Sequence, residues 1–253
     1  MTAAFTVDEE STFSGVRKLV SALGGVRMAV VAEPTRLEVV VAHKGLVRWK
    51  VRTAGRSCHS ARPEDGENAI YRMGPVLEAM ERYARGPVAG RTHPLLGPAT
   101  LSVGVIRGGT SVNTVPGSCE IEVDRRLLPG EDPAEAIEHC RRKLASDLGP
   151  VFAFDPPWVS DPALDTPASA AVARIAEEAV REVTGRCLLR GVPYGTDAAC
   201  ISAAGVPAVV LGPGDIAQAH TAEEWIEIAE IERAAEVYYR FVVGAGCLAE
   251  SAR

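Results

Sequence analysis

No stretch of this 253-residue chain carries ~18 consecutive apolar residues, the length that a membrane-spanning helix needs. A helical span is therefore not expected, and the first residues lack the charged-then-apolar order of a signal peptide. A basic excess is missing too. The formal net charge is -6 and the pI about 5.5, which argues against a nucleic-acid partner, because phosphate binding needs a basic face. The six cysteines (Cys58, Cys119, Cys140, Cys187, Cys200, Cys247) include no C-x-x-C pair, so they read as reduced thiols of a cytoplasmic protein rather than a disulfide framework. None of the five histidines (His43, His59, His93, His139, His220) is followed two places on by aspartate, and no acid precedes Asp8. What is present is 47% hydrophobic and 24% charged, enough to bury one or two cores.

The periodicities divide the chain. From Gly45 to about Trp158 they run strand, helix, strand, strand, helix, strand, the order of a ferredoxin-like sandwich. The strand beginning Leu46-Val47-Arg48-Trp49-Lys50 alternates apolar and basic residues, and the helix after Asn68 places Ile70, Met73, Leu77, Met80 and Tyr83 on one stripe. Outside this region Met28-Ala29-Val30-Val31 and Ala208-Val209-Val210-Leu211 are continuous apolar runs of the kind buried on both faces of a mostly parallel sheet. The chain thus reads as one α/β domain, residues 1–43 and 159–253, interrupted by a sandwich at residues 44–158.

Chemistry-bearing residues fall at the ends of these segments. Glu9-Glu10 follows the apolar Ala3-Ala4-Phe5-Thr6-Val7, so the pair is expected at the carboxyl end of a strand, where open α/β sheets place their sites. An acidic helix start favoured by the helix dipole is the structural alternative. Glu33 follows another strand and precedes Pro34, and the alternative there is a solvated turn acid. His220 closes a glycine-rich loop. Arg125 and Arg126 are neighbours on a strand and must point to opposite faces, so one of them at most serves a site; a solvent-facing arginine ladder is the competing reading.

The ordered set Phe5-Thr6-Val7-Asp8-Glu9-Glu10, Ala32-Glu33-Pro34-Thr35, His43-Lys44-Gly45, Gly55-Arg56-Ser57-Cys58-His59, Gly108-Gly109 with Asn113, Arg126, Tyr194-Gly195-Thr196-Asp197 and Gln218-Ala219-His220 resembles the co-catalytic metallohydrolases. That family comprises acetylornithine deacetylase, succinyl-diaminopimelate desuccinylase, aminoacylase and glutamate carboxypeptidase. The resemblance implies a zinc-peptidase-like α/β catalytic layer, partial here, with an inserted dimerisation domain. It also implies Zn2+ or Co2+ as cofactor and an N-acyl amino acid as substrate. Glu9 becomes the general base, Glu10, Glu33 and His220 the metal ligands, and His59 an oxyanion donor reaching the site of a second subunit. Asn113, Arg126, Gly195 and Thr196 become substrate-binding. His43, His93 and His139 match no ligand position and read as structural or surface groups.

A complete member of that family carries a His-x-Asp pair and a bridging carboxylate upstream of the position of Glu9. Without them each metal keeps one or two ligands from this sequence, fewer than the three that normally hold a catalytic zinc. The expectation is therefore a carboxyl-terminal portion, inactive alone, of an amidohydrolase. The alternative is an inactive binding or dimerisation protein with the same ancestry.

Overall fold

The computed structural model describes residues 1–250 and divides into two compact units, Met1–Lys44 with Ala163–Arg253 and Gly45–Pro162. After residues 1–12, which form neither helix nor strand, come α1 (Ser14–Leu19), β1 (Ala29–Val31) and β2 (Val39–His43). The second unit holds β3 (Gly45–Ala54), β4 (Cys58–His59), α2 (Ala69–Tyr83), β5 (Thr92–His93), β6 (Gly97–Pro98), β7 (Thr100–Gly108), β8 (Thr114–Val115), β9 (Ser118–Leu127), α3 (Pro133–Leu148), β10 (Ala153–Phe154) and β11 (Val159–Asp161). The chain then adds β12 (Leu164–Asp165), α4 (Ala171–Thr184), β13 (Leu189–Val192), α5 (Asp197–Ala203), β14 (Ala208–Val210) and α6 (Ile228–Glu250) to the first unit.

In the second unit the long strands pair in the order β10-β3-β9-β7, every pair antiparallel, which is the ferredoxin-like sheet. Alternation decides its two faces. Val47, Trp49, Val51, Ile121 and Val123 are buried, together with Met73 and Met80 of α2 and Cys140 and Leu144 of α3. Asn68 caps α2 by accepting from the amides of Ile70 and Tyr71 at 2.9 and 3.2 Å, and Asp132 caps α3 through the amide of Glu135, each satisfying donors that the helix cannot use itself. Pro75 lies inside α2 without ending it. On the opposite face of the sheet Arg48, Lys50 and Arg107 meet Asp124, Glu120 and Glu122 at 2.7, 3.0 and 2.6 Å.

The first unit is an α/β layer. Strand β1 runs parallel to β14, pairing Ala29 with Ala208 through Val31 with Val210, and β13 runs parallel to β2, as the continuous apolar runs lead one to expect. Strand β2 also takes β14 and β12 as antiparallel neighbours, so the sheet is mixed. One core fills its helical side: Val39, Val41, Val209 and Leu211 pack with Val172, Ala176 and Val180 of α4 and with Ala234, Val237 and Phe241 of α6. The apolar stripe of α4 ends at Gly185, whose φ of 82° is the left-handed stop that glycine accepts without steric penalty.

The expected strand at Ala3–Val7 does not form. Phe5 and Val7 are 97% and 71% exposed; β-propensity alone holds no strand, because an extended segment needs a neighbour to take its amides and carbonyls. None of the six cysteines is in a disulfide. Among the described residues no helix is long and apolar enough to cross a membrane.

Candidate metal and substrate site

The parallel pair β1 and β14 delivers two loops to the same end of the sheet. Glu33 follows β1, and its turn is clamped to the loop after β14: Thr35 N donates to Gly212 O at 3.3 Å, and Gly212 N donates to Thr35 Oγ1 at 3.1 Å. A Cβ on Gly212 would stand 2.5 Å from Glu33 O, so only glycine lets the two loops approach this closely. The loop continues past Gly214, whose amide donates to Glu230 Oε2 at 2.8 Å, and through Asp215, paired with Arg36. It ends at His220, held with a left-handed φ of 61°.

Glu9 and Glu10 lie in a turn rather than at a strand end. The amides of Ser11, Thr12 and Phe13 all converge on Asp8 O, and Gly15 N donates to Val7 O at 3.1 Å. Asp8 itself is left-handed, with φ 66°. Such conformations are uncommon for side-chain-bearing residues, and here two of them flank candidate site groups. Glu10 Oε1 and His220 Nε2 stand 3.2 Å apart, both exposed. Glu33 is half-buried, and burial followed by the negative charges of Glu10 and Asp197 pushes its carboxyl up to about 7.

An oxygen and an imidazole nitrogen side by side, with a third carboxylate in an uncompensated negative field, are of the right kind for a divalent ion. They are too few. Among the described residues no group of three or more His, Cys, Asp or Glu side chains comes close enough together to hold a metal. The residues of this chain therefore match such an ion in donor chemistry but do not form a complete site for one.

Behind these groups, His43 is fully buried and Thr196 is 1% exposed. His43 Nδ1 lies 3.0 Å from Lys44 O and Nε2 lies 3.2 Å from Thr196 Oγ1. A carbonyl only accepts, so Nδ1 carries the ring proton and Thr196 donates its hydroxyl hydrogen to Nε2. The same oxygen accepts from Ala198 N at 3.2 Å. The hydroxyl hydrogen of Thr196 is thus committed to His43 in this structure. Burial drives the His43 imidazole down to about 4, and it is structural, as is His139, whose Nδ1 lies 2.8 Å from Tyr83 OH.

The remaining predicted residues lie in the sandwich unit, at opposite ends of its sheet. Strand β4 pairs His59 with Thr114, and Ser60 N donates to Asn113 O at 2.9 Å, so His59 and Asn113 are neighbours beyond the Ala54–Ser118 end. Ala61 N donates to His59 Nδ1 at 3.1 Å, which puts the ring proton of a neutral His59 on the exposed Nε2. Arg126 pairs with Leu46 at the other end; along the strand, Ser118 and Arg126 are about 26 Å apart at ~3.3 Å per residue. Its Nε donates to Asp124 Oδ1 at 2.8 Å on the open face, while Arg125 is buried against Glu131 at 2.7 Å. A cavity of about 780 Å³ in this unit is lined by Arg52, Arg72, Arg107, Gly108, Gly109 and Ser118 among others, and by none of the predicted site residues.

Sequence reasoning gave no role to Asp197. It is 5% exposed, accepts from Thr6 Oγ1 at 2.6 Å and leaves Oδ1 buried with no hydrogen-bond partner. The signal was its place in the motif Tyr194-Gly195-Thr196-Asp197, where a strand gives way to a helix.

A βαββαβ sandwich inserted in a mixed α/β layer, with acids and an imidazole gathered where parallel strands end, is the architecture of the co-catalytic metallohydrolases. Residues 41–151 match the family model described as a peptidase dimerisation domain, M20_dimer. The acetylornithine deacetylase of Myxococcus xanthus is 36% identical over 244 residues, covering 94% of this chain and 63% of that protein. Aminopeptidase PepT from Bacillus cereus ATCC 10987 superposes with a TM-score of 0.77 at 22% identity, over 95% of this chain and 63% of that one. The Bacillus subtilis YXEP protein, described as a dinuclear metal binding peptidase from the M20 family, gives 0.67 at 18% identity. The two structures speak for the fold alone. Residues 41–151 therefore carry the peptidase dimerisation domain, and the chain as a whole is similar to acetylornithine deacetylases, spanning about 63% of the length of the Myxococcus relative.

Proposed function

We propose that this chain supplies most of the fold, but only part of the metal site, of an amidohydrolase that releases the acyl group from an N-acylated amino acid. The observation that carries this reading is the 3.2 Å contact of Glu10 with His220, beside the half-buried Glu33. Glu10, Glu33 and His220 would hold Zn2+ or Co2+, with the missing ligands supplied from outside this sequence. Glu9 would take the proton of the attacking water as general base. His59, with its N–H on Nε2, suits the donation that a developing oxyanion needs, and Arg126 suits a bidentate grip on the substrate carboxylate.

Within one protomer His59 and Arg126 lie toward opposite ends of the sheet, an arrangement that does not favour a shared substrate. Strand β7 is the sheet's free edge, and Ile106 on it is 52% exposed, with Ile70 and Tyr71 of α2 at 40% and 80%. A two-fold contact through this edge would use the same patch twice, and His59 would serve as a donor across that contact. A second reading, an inactive dimerisation or binding protein, is favoured by the absence of any three-donor group among the described residues.

The deciding experiment supplies the missing part. Alone, the chain should take up zinc or cobalt weakly and hydrolyse N-acetylornithine no faster than its Glu9→Gln variant. Combined with a polypeptide covering the unmatched share of the Myxococcus relative, it should gain activity. There Glu9→Gln should lower turnover at least ~100-fold with metal content intact, and His220→Ala should lose metal. Failure to gain activity although the two parts associate would favour the inactive reading.

A further inference from the structure

We propose that Asp197 is a positioning residue for the Glu9-Glu10 pair, its buried carboxylate fixing their turn by holding Thr6. The inference rests on the reading of those glutamates as site residues and adds the group that places them. Residues 1–12 have no helix or strand of their own and expose Phe5 and Val7, so no apolar burial holds them. Polar tethers remain. Within the turn they include the bonds to Asp8 O and the Gly15–Val7 bond, with the Thr12 hydroxyl and the Ser14 amide on Asp8 Oδ2, and Glu10 meets His220 at 3.2 Å. The hydroxyl of Thr6 reaches across 191 positions to Asp197 Oδ2 at 2.6 Å.

The acceptor is built for the task. Asp197 opens α5, its side chain cannot wander because it is 5% exposed, and the residue before it is locked between His43 and the Ala198 amide. A charged acceptor strengthens the bond from a neutral hydroxyl. Its second oxygen is buried without a partner, an unfavourable arrangement for a group serving stability alone. Asp197 is also close enough to Glu33 to repel its charge, which places the tether beside the candidate site. The Thr6 end lies two residues before Asp8, so loss of the tether frees the segment that leads straight into the turn.

The test is amide hydrogen exchange on the full chain, which needs neither metal nor activity, so its outcome is independent of whether the hydrolase reading holds. In Thr6→Val, which keeps the shape but removes the hydroxyl, the amides of Ser11, Thr12, Phe13 and Gly15 should exchange at least ~10-fold faster. The Leu211 amide, bonded to Val31 O at 2.9 Å in the sheet, should not change. Thr6→Ser should restore the slow rates. Asp197→Ala should match Thr6→Val, with no further gain in the double variant; if Asp197→Ala does not fold, the two Thr6 variants decide. Unchanged rates in Thr6→Val, or equal acceleration at Leu211, would overturn the proposal.

Discussion

In the sandwich, cations and acids alternate across one face of the sheet until nearly every charge there has an opposite neighbour: Arg48 with Asp124, Lys50 with Glu120 and Glu122, Arg107 with Glu122, Arg52 with Asp155. In the α/β unit the acids Glu10, Glu33 and Asp197 share one neighbourhood, and no cation is among the causes that shift Glu33. Backbone strain divides the same way. Among the described residues, the five non-glycine ones with left-handed φ (Asp8, Phe13, Arg36, Leu37, His220) all belong to the α/β unit. The sandwich face is balanced in charge, whereas the α/β unit holds left-handed backbone and a cluster of acids where its candidate chemistry lies, the pattern expected of functional sites.

The comparison is sharpest if the sandwich can be broken by itself. Trp49 is fully buried and stacks on Phe154 with centroids 6.0 Å apart. Trp49→Ala should destabilise the sandwich by about 3–5 kcal/mol. Amide exchange in β3 and β9 should accelerate far more than in β14; equal acceleration in both units would show that they do not unfold separately.

Within the α/β unit two buried groups should give opposite pH slopes. His43, driven down to about 4 by burial, stays neutral in the fold while the unfolded chain protonates near pH 6.5. Its contribution is therefore present above pH 6.5 and lost as the pH falls toward 4, a loss on the order of 3 kcal/mol. Denaturant unfolding of wild type and His43→Asn across that range should show the slope disappear in the variant.

Glu33 works the other way. With its carboxyl pushed up to about 7 by burial and by Glu10 and Asp197, the fold holds the proton that the unfolded chain has already released. Its stabilisation is fully present below about pH 4.5 and lost as the pH rises to 7. Glu33→Gln should therefore make the metal-free chain more stable at pH 8, by about 2 kcal/mol, and leave it little changed at pH 4. A loss of stability at pH 8 would mean that a cation or donor already compensates the carboxylate.

The smallest effect belongs to the charged face of the sandwich. Arg48→Gln removes a 2.7 Å pair with Asp124 whose partners both remain partly exposed. It should cost less than about 1 kcal/mol in a thermal melt, and less still at high salt.

The alternating residues of Leu46–Arg52 and Cys119–Arg125 and the stripe of α2 made the sandwich readable in advance, because period-two and period-3.6 burial are local properties of a sequence. The same alternation separated Arg125 from Arg126, and the structure places the first inside and the second on the open face. Glu33 was also legible, from an apolar run stopped by proline. The position of the Glu9-Glu10 pair was not, since whether Ala3–Val7 becomes a strand depends on a neighbour that no local pattern supplies.

The sequence by itself determined the long elements of the sandwich, the apolar strands Ala29–Val31 and Ala208–Val210 and the donor types of Glu10, Glu33 and His220, all of which follow from spacing and side-chain chemistry. Only the tertiary structure decided that His220 meets Glu10, that His43 takes the hydroxyl proton of Thr196, and that Asp197 reaches Thr6. Those contacts join residues 153 to 210 positions apart. Hydrogen-bond direction and burial at such separations are set by the packed fold around both partners, and neither partner's local sequence encodes the other.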